Sequence, residues 1–352
     1  MAVAGKKVSL VEVAARAGVS TATVSIALHG GRDKGGRVSA ATRERVCKAA
    51  AALRYVPNSA ARNLASRRTG FIGYLLSDAV LDGFNNAYFN RYLTGVEEAC
   101  RKHGYGLYAA RATLSDIHQV VFPERLRQQS VDGLVAIGEI PDAVFSEFER
   151  YHLPTVFLNR NHQTDNKYAC FCADMSDGLA KAAAYAHALG HRRFWDCGVF
   201  TPDLVRQLRP VADTLERDHP GLRVGLTDFV AGPYDETSYA KQLFSAWQSR
   251  PNAERPTFLW GDTKLLPLFL AMLSHAGVNC PADVSAMAGA DLEMNRYFNP
   301  PLSSIDYDFE ALASDAVELL LRYVDKSECV PLEASQNNYP ARIVDRQSTR
   351  RL

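Results

Sequence analysis

The sequence predicts an α/β chain: an N-terminal all-α helix-turn-helix head over residues 1–57, then two Rossmann-like parallel-sheet subdomains. Three observations predict it. Two short helix patterns near the N-terminus, each with its own cap, are joined by Ala17-Gly18-Val19-Ser20. From Phe71 onward short apolar runs alternate with helical patterns, and the alternation restarts near residue 168. Charge divides at the same boundary, with 13 Lys and Arg against 3 Asp and Glu in residues 1–70, and 27 against 36 in the rest. A basic head on an acidic body offers one end to phosphates and keeps the other off them.

Ser9 and Glu12 have the S-x-x-E spacing of a capping box and open a helix over 10–17. Gly18 supplies the left-handed backbone that a tight turn between two helices needs. Ser20 caps a second helix over 21–28, and Ser39 a third that runs to Leu53. Leu10, Val13, Ala14, Val24, Ala27, Leu28, Val46, Ala50 and Leu53 recur at helical spacing and form the small core. Thr21, Ala22, Ser25, Ile26 and His29 are left on the open face of the second helix, the face that enters a major groove in a motif of this kind. Ser9, Ser39 and Thr42 stand at helix starts, where backbone N–H groups meet phosphates. Leu10, Ser20, Thr23 and Arg37 complete the candidate DNA contacts of the head.

Pro57 stops the third helix, and 58–69 read as a linker. A two-turn helix over 59–66 is too short to be stable alone. Flanked by Arg62, Arg67 and Arg68, it suits a minor-groove wedge carrying Leu64. A plain linker whose leucine packs on the next domain fits the same composition.

In the body, Phe71–Leu76, Gly106–Ala109, Gly133–Ile137 and Thr155–Leu158 read as strands, with helices over 88–103 and 115–129. A strand over 168–172, a helix over 177–189 and a strand over 193–197 begin a second α/β unit. Two such units in series enclose a cleft, and ligands bind outside the carboxyl ends of the strands. No apolar run reaches the roughly 18 residues that span a bilayer. Met1–Lys7 has no apolar segment, so secretion is not expected. The seven cysteines are scattered, with neither C-x-x-C nor paired Cys/His spacing, and read as buried thiols in the cytoplasm. The Gly30–Gly36 loop matches no phosphate-binding fingerprint. No Ser-His-Asp, paired-carboxylate or metal-ligand constellation stands out, which disfavours an enzyme and implies neither cofactor nor metal.

The stretch Val13-Ala14…Ala17-Gly18-Val19-Ser20…Thr23-Val24-Ser25, then Val38-Ser39…Thr42-Arg43-Glu44-Arg45-Val46 and Tyr55-Val56-Pro57-Asn58, resembles the lactose-repressor/galactose-repressor (LacI/GalR) family of bacterial transcription regulators. In the body, Phe89…Gly95-Val96-Glu97-Glu98-Ala99, Val131-Asp132-Gly133-Leu134, Asp174-Met175-Ser176-Asp177-Gly178 and Leu189-Gly190-His191-Arg192-Arg193 continue the resemblance. So do Pro281-Ala282-Asp283-Val284-Ser285, Asn299-Pro300-Pro301-Leu302 and Arg342-Ile343-Val344-Asp345-Arg346. The resemblance implies subdomains of periplasmic-binding-protein type. It makes 59–66 a hinge helix, Leu64 its intercalating residue with Ala61 beside it, and Asn58 a further contact. It puts crossings near 162, 291 and 325, giving subdomains of 70–162 with 292–325 and 163–291 with 326–352. Ile26 departs from the arginine many members carry after Val-Ser, so direct readout leans on thymine methyls and the hinge.

By the same resemblance, a small-molecule effector lies in the cleft. Its contacts would be Tyr88, Asn159, Arg160, Arg206 or Arg209, Tyr234, Asp262, Asp291 and Phe309. The family's Asn-Asp pair has become Gly261-Asp262, and a later Asp has become Ala290. Each buried sugar hydroxyl left without a partner costs about 1–3 kcal/mol, so a more apolar or aromatic ligand is implied. Phe89 and Trp260 add to that aromatic character, although Trp260 serves equally as core. His191, with Arg192 and Arg193, falls in a helix-to-strand loop and is expected to be structural. The function implied is a homodimeric repressor on a pseudo-palindromic double-stranded DNA operator, with no membrane partner. A repressor that has lost ligand sensing is the alternative, and a nucleotide-dependent enzyme a remote one.

Overall fold

The computed structural model describes residues 8–29, 38–55, 68–80, 82–116, 118–138, 140–159, 168–198, 202–227, 235–326 and 335–352. The chain divides into two compact units, 1–69 and 70–352.

In the first unit, α1 (Leu10–Ala17), α2 (Thr21–His29) and α3 (Ala40–Ala52) stand where the caps and spacing put them. Their shared core is Val13, Ala14, Ala17, Val24, Ala27, Val46, Ala49 and Ala50, with Leu10, Leu28 and Leu53 half-buried at its rim. The predicted hinge helix over 59–66, with Asn58, Ala61 and Leu64, lies outside the described residues, as do the Gly30–Gly36 loop and Arg37.

The second unit holds two six-stranded sheets. Its elements in chain order are β1 (Phe71–Ser77), α4 (Ala87–Lys102), β2 (Gly106–Ala112), α5 (Glu124–Arg127), β3 (Gly133–Ile137), α6 (Phe145–Glu149), β4 (Thr155–Leu158) and β5 (Ala169–Ala173). Then come α7 (Met175–Ala188), β6 (Arg193–Asp196), α8 (Pro202–Asp218), β7 (Arg223–Leu226), α9 (Glu236–Gln248), β8 (Phe258–Gly261), α10 (Leu265–His275) and β9 (Ser285–Ala288). β10 (Ser303–Asp306), α11 (Phe309–Lys326), β11 (Ser335–Tyr339) and β12 (Arg342–Val344) complete them. The first sheet runs β11-β5-β4-β3-β1-β2 with every neighbour parallel. The second runs β12-β10-β9-β8-β6-β7, parallel except for the β10–β12 pair. Central strands buried on both faces read as unbroken apolar runs, as Gly133–Ile137 does, since helices cover each side of such a sheet.

The crossings differ from those expected. β5 is not the first strand of the second lobe; it pairs in parallel with β4, Val156 opposite Ala169, and extends the first sheet. The chain therefore leaves the first lobe at Asp174, not near 162. β10 pairs with β9 in the second sheet, so the return falls at 307–308 and not near 291. β11 joins β5 and β12 joins β10, which moves the third crossing from 325 to about 340. The helix expected over 115–129 shrinks to the four residues of α5. Pro123 disfavours helical backbone at Phe122. Upstream, Asp78 Oδ1 accepts the Leu114 and Ser115 N–H groups at 2.8 and 3.0 Å, and Thr113 bridges to Val121.

Candidate functional site

The head builds its surface from three serine caps. Ser9 is extended (φ −94°, ψ 162°); its Oγ accepts the Glu12 N–H at 3.4 Å, and Glu12 Oε2 accepts the Ser9 N–H at 2.6 Å. Gly18 takes φ +64° and turns the chain so that α1 and α2 meet at 98°. That is the angle range of a DNA-reading helix pair. Ser20 Oγ accepts the Thr23 N–H at 3.1 Å and Ser39 Oγ the Thr42 N–H at 3.2 Å. The caps thus satisfy one orphan amide each, and the amides left over at a helix start suit a phosphate.

On α2, Thr21, Ala22 and Ser25 are exposed, and Thr23 and Ile26 half-buried, while Val24 and Ala27 hold the core. Of the five residues that the spacing put on the open face, Thr21, Ala22 and Ser25 are exposed and Ile26 is half-buried. Leu10 differs: it packs at the rim of the core, so its role is support. His29 ends α2, and its side chain lies outside the described set.

At the carboxyl ends of the first sheet an aromatic cluster forms around one amide. Tyr88, in the first turn of α4, donates its hydroxyl to Asn159 Oδ1 at 3.0 Å, and Tyr92 does so at 3.4 Å. Asn159 itself takes φ +56° just after β4. The Phe309 ring lies 4.8 Å from Tyr88 and 4.9 Å from Tyr92 between centroids. Burial pushes both phenols well above their ordinary range, so they act as neutral hydrogen-bond groups. Tyr88, Asn159 and Phe309 are therefore brought together as expected, but Phe309 is fully buried and forms the back wall.

Across the cleft, Asp262 is exposed at the end of β8 and accepts the Lys264 and Leu265 N–H groups at 2.8 and 3.1 Å on Oδ1. Arg206 and Arg209 are exposed on α8. Arg160 and Tyr234 lie outside the described residues. Asp291 is a correction: its Oδ1 accepts Ser304 Oγ and Arg346 Nη2, both at 2.7 Å. That oxygen anchors the C-terminal segment. Trp260 resolves toward core, nearly solvent-free beside Phe194. His191 is buried between Thr257 Oγ1 (3.0 Å) and the Arg350 carbonyl (3.1 Å), a structural role as expected.

Three features escaped sequence reasoning. Lys264 on the second lobe pairs with Asp82 on the first, and Glu236 stands 3.8 Å from the same ammonium. Arg91 ties α4 to Glu310, Asp306 and the Asp291 carbonyl. Asp196, the last residue of β6, is fully buried with Trp260 as its register partner. Only Asp196 left a trace in the sequence, as an acid inside Phe194-Trp195-Asp196-Cys197.

Comparison with known proteins adds two family matches. Residues 9–58 match the model for bacterial regulatory proteins of the lacI family, and 183–349 match a periplasmic binding protein-like domain. The HTH-type transcriptional repressor PurR of Klebsiella pneumoniae (strain 342) is 29% identical over 347 residues, covering 96% of this chain and 95% of its own. PurR of Vibrio vulnificus (strain CMCP6) is 26% identical over 332 residues, covering 90% and 92%. Among solved structures, the lac repressor dimer bound to operator and the anti-inducer ONPF superposes with a TM-score of 0.73 at 22% identity, over 98% of this chain and all of that one. The cellobiose complex of the transcriptional regulator CelR gives 0.64 at 22% identity, over 97% and all of that chain. At those identities the superpositions speak for the fold.

Proposed function

This chain belongs to the lacI family of bacterial regulatory proteins, and from that premise we propose that it is a homodimeric, ligand-regulated transcriptional repressor of the cytoplasm. Two heads read the half-sites of a pseudo-palindromic DNA operator. A small molecule, with no cofactor, binds at the carboxyl ends of the two sheets and shifts the balance between arrangements of the lobes. By linkage it must change operator affinity by the factor by which operator changes its own. One observation carries the reading: a three-helix head with serine caps whose second helix turns Thr21, Ala22 and Ser25 outward.

The test is selection of bound fragments from a random DNA pool by the full-length chain, followed by titration of the winner. The expected product is a two-fold related site occupied by two copies. Affinity should fall steeply with salt, as Lys and Arg on phosphates dictate. Ile26→Ala should weaken the selected site about tenfold while leaving binding to unrelated DNA unchanged, because a lost thymine-methyl contact acts on specificity alone. A pool that yields no preferred sequence would sink the proposal.

A further inference from the structure

The second lobe buries three polar groups for which the fold supplies no complete set of partners. Asp196 ends β6, and its register partner on β8 is Trp260, so both side chains leave the sheet on one face at its carboxyl end. Tyr307 follows β10 and feels the charges of Asp196, Asp174 and Asp177 as well as the Tyr88 phenol of the cleft. All three side chains are 2% exposed or less. Gly198 donates its N–H to Asp196 Oδ1 at 3.0 Å. Asp196 Oδ2, Trp260 Nε1 and Tyr307 Oη have no hydrogen-bond partner. Orphaned buried polar atoms are rare in native proteins and call for an explanation, and here two belong to register partners at one sheet end, with the third on a tyrosine that feels the Asp196 charge.

The charges nearby narrow what would complete them. Of the cations close to this region, Arg91 is committed to Asp306 and Glu310 and Lys181 to Asp177, while Arg250 lies over the ring of Trp195, whose side chain leaves β6 on the face opposite to that of Asp196. Asp174 is taken up as the cap of α7. Asp196 is left as an acid with an open oxygen next to its register partner Trp260, and an aromatic ring favours a cation. We propose that Asp196 is the anionic anchor of the effector site. The effector then carries an amine or amidinium on an aromatic or apolar body, with its N–H groups on Asp196 Oδ2 and Tyr307 Oη. This rests on the reading of the cleft as the effector site.

Burial alone holds the Asp196 carboxyl far above the ordinary carboxylate range. The titratable and charged groups around it are the Cys197 thiol, also raised by burial, the Arg250 guanidinium that acts on that thiol, and Tyr307, which also feels Asp174 and Asp177. An acid whose folded pKa exceeds its unfolded value binds more protons when folded. Its contribution to stability therefore falls as pH rises from about 4 toward the folded value. A ligand cation would reverse that loss.

The experiment is thermal unfolding of the full-length chain with tyramine and benzamidine, against their neutral counterparts 4-ethylphenol and benzamide. The two cations should raise Tm in a concentration-dependent way, and the neutral pair should not. Asp196→Asn should abolish the shift and, at neutral pH, raise the ligand-free Tm by roughly 4 °C or more, which also shows that the variant folds. Equal shifts with the neutral pair, no shift with either cation, or a shift that survives Asp196→Asn would each overturn the proposal. If only the neutral pair acts and Tyr88→Ala abolishes it, the cleft reading stands while the amine assignment falls. A cation shift that is lost in Asp196→Asn but persists in Tyr88→Ala would uphold the anchor and place the ligand away from the cleft wall.

Discussion

Arg91→Met is expected to destabilise the body by about 3 kcal/mol, the low end for removing one member of a buried ion pair. For a unit of this size that lowers Tm by roughly 6–10 °C. The guanidinium makes four bonds: Nε and Nη2 to Glu310 Oε1 and Oε2 at 2.7 and 2.5 Å, and Nη1 to Asp306 Oδ1 at 2.9 Å and the Asp291 carbonyl at 2.8 Å. It also lies 5.0 Å over the Phe309 ring. Methionine fills the volume but leaves two carboxylates facing it, one of which, Asp306, is only 9% exposed. Arg91→Lys should recover little, since one ammonium cannot reproduce a planar fork.

The pH profile separates this from a packing defect. Burial pushes the Asp306 carboxyl up, but its bonds to Arg342 and Arg91 outweigh that and hold it below the ordinary value. A depressed carboxylate contributes stability that is present above its unfolded pKa and lost as pH falls through the folded one. In Arg91→Met one of the three opposing bonds is gone, the others being from Arg342 and the Asp308 N–H, so the folded pKa rises and that loss should begin at higher pH. Urea midpoints across the acid range would show it, and parallel curves for variant and parent would remove Arg91 from the Asp306 titration.

How the residues were legible follows the range of their interactions. Ser9 with Glu12, Gly18, Ser20 and Ser39 act within one turn of chain, and each stands as the spacing predicts. Strands such as Gly133–Ile137 were readable because burial on both faces shows in their own composition. The sheet to which a strand belongs was not. Ala169–Ala173 is equally apolar whichever lobe it joins, and only its partner at Val156 decides. Pattern failed where local geometry overruled it, at Pro123 inside an amphipathic stretch. In the cleft, Tyr88 and Asn159 were found through family resemblance, 71 residues apart in sequence. Resemblance put Asp291 in the cleft but gave no sign of Arg346, a partner 55 residues away on its Oδ1. Arg91 announced nothing, since its partners lie 200 or more residues downstream.

Gly95→Ala sets helix propensity directly against packing. Gly95 sits inside α4, where alanine is the better helix former by about 1 kcal/mol, so propensity alone predicts a more stable protein. A Cβ built there would lie 2.3 Å from the Glu310 carbonyl oxygen and 2.8 Å from its Cα, both backbone atoms of α11. Neither can rotate away, so α4 and α11 must separate, opening the apolar contact on which Val96, Ala313 and Val317 close. Overpacking that only displaces side chains already costs about 1–3 kcal/mol, and forcing two helices apart should exceed it. The expected net loss is therefore about 3 kcal/mol or more, and trimming the neighbour with Glu310→Ala should not restore it. Gly178→Ala is the control with the opposite remedy. There the Cβ would meet the Tyr307 hydroxyl, a side-chain end. Tyr307→Phe removes that atom, so the double variant should recover most of the stability that Gly178→Ala loses. Denaturation midpoints of the four variants decide the matter: recovery at Gly178 with none at Gly95 assigns the first clash to a side chain and the second to the backbone. A Gly95→Ala variant as stable as the parent would mean that α4 and α11 do not approach as closely in solution as these contacts require.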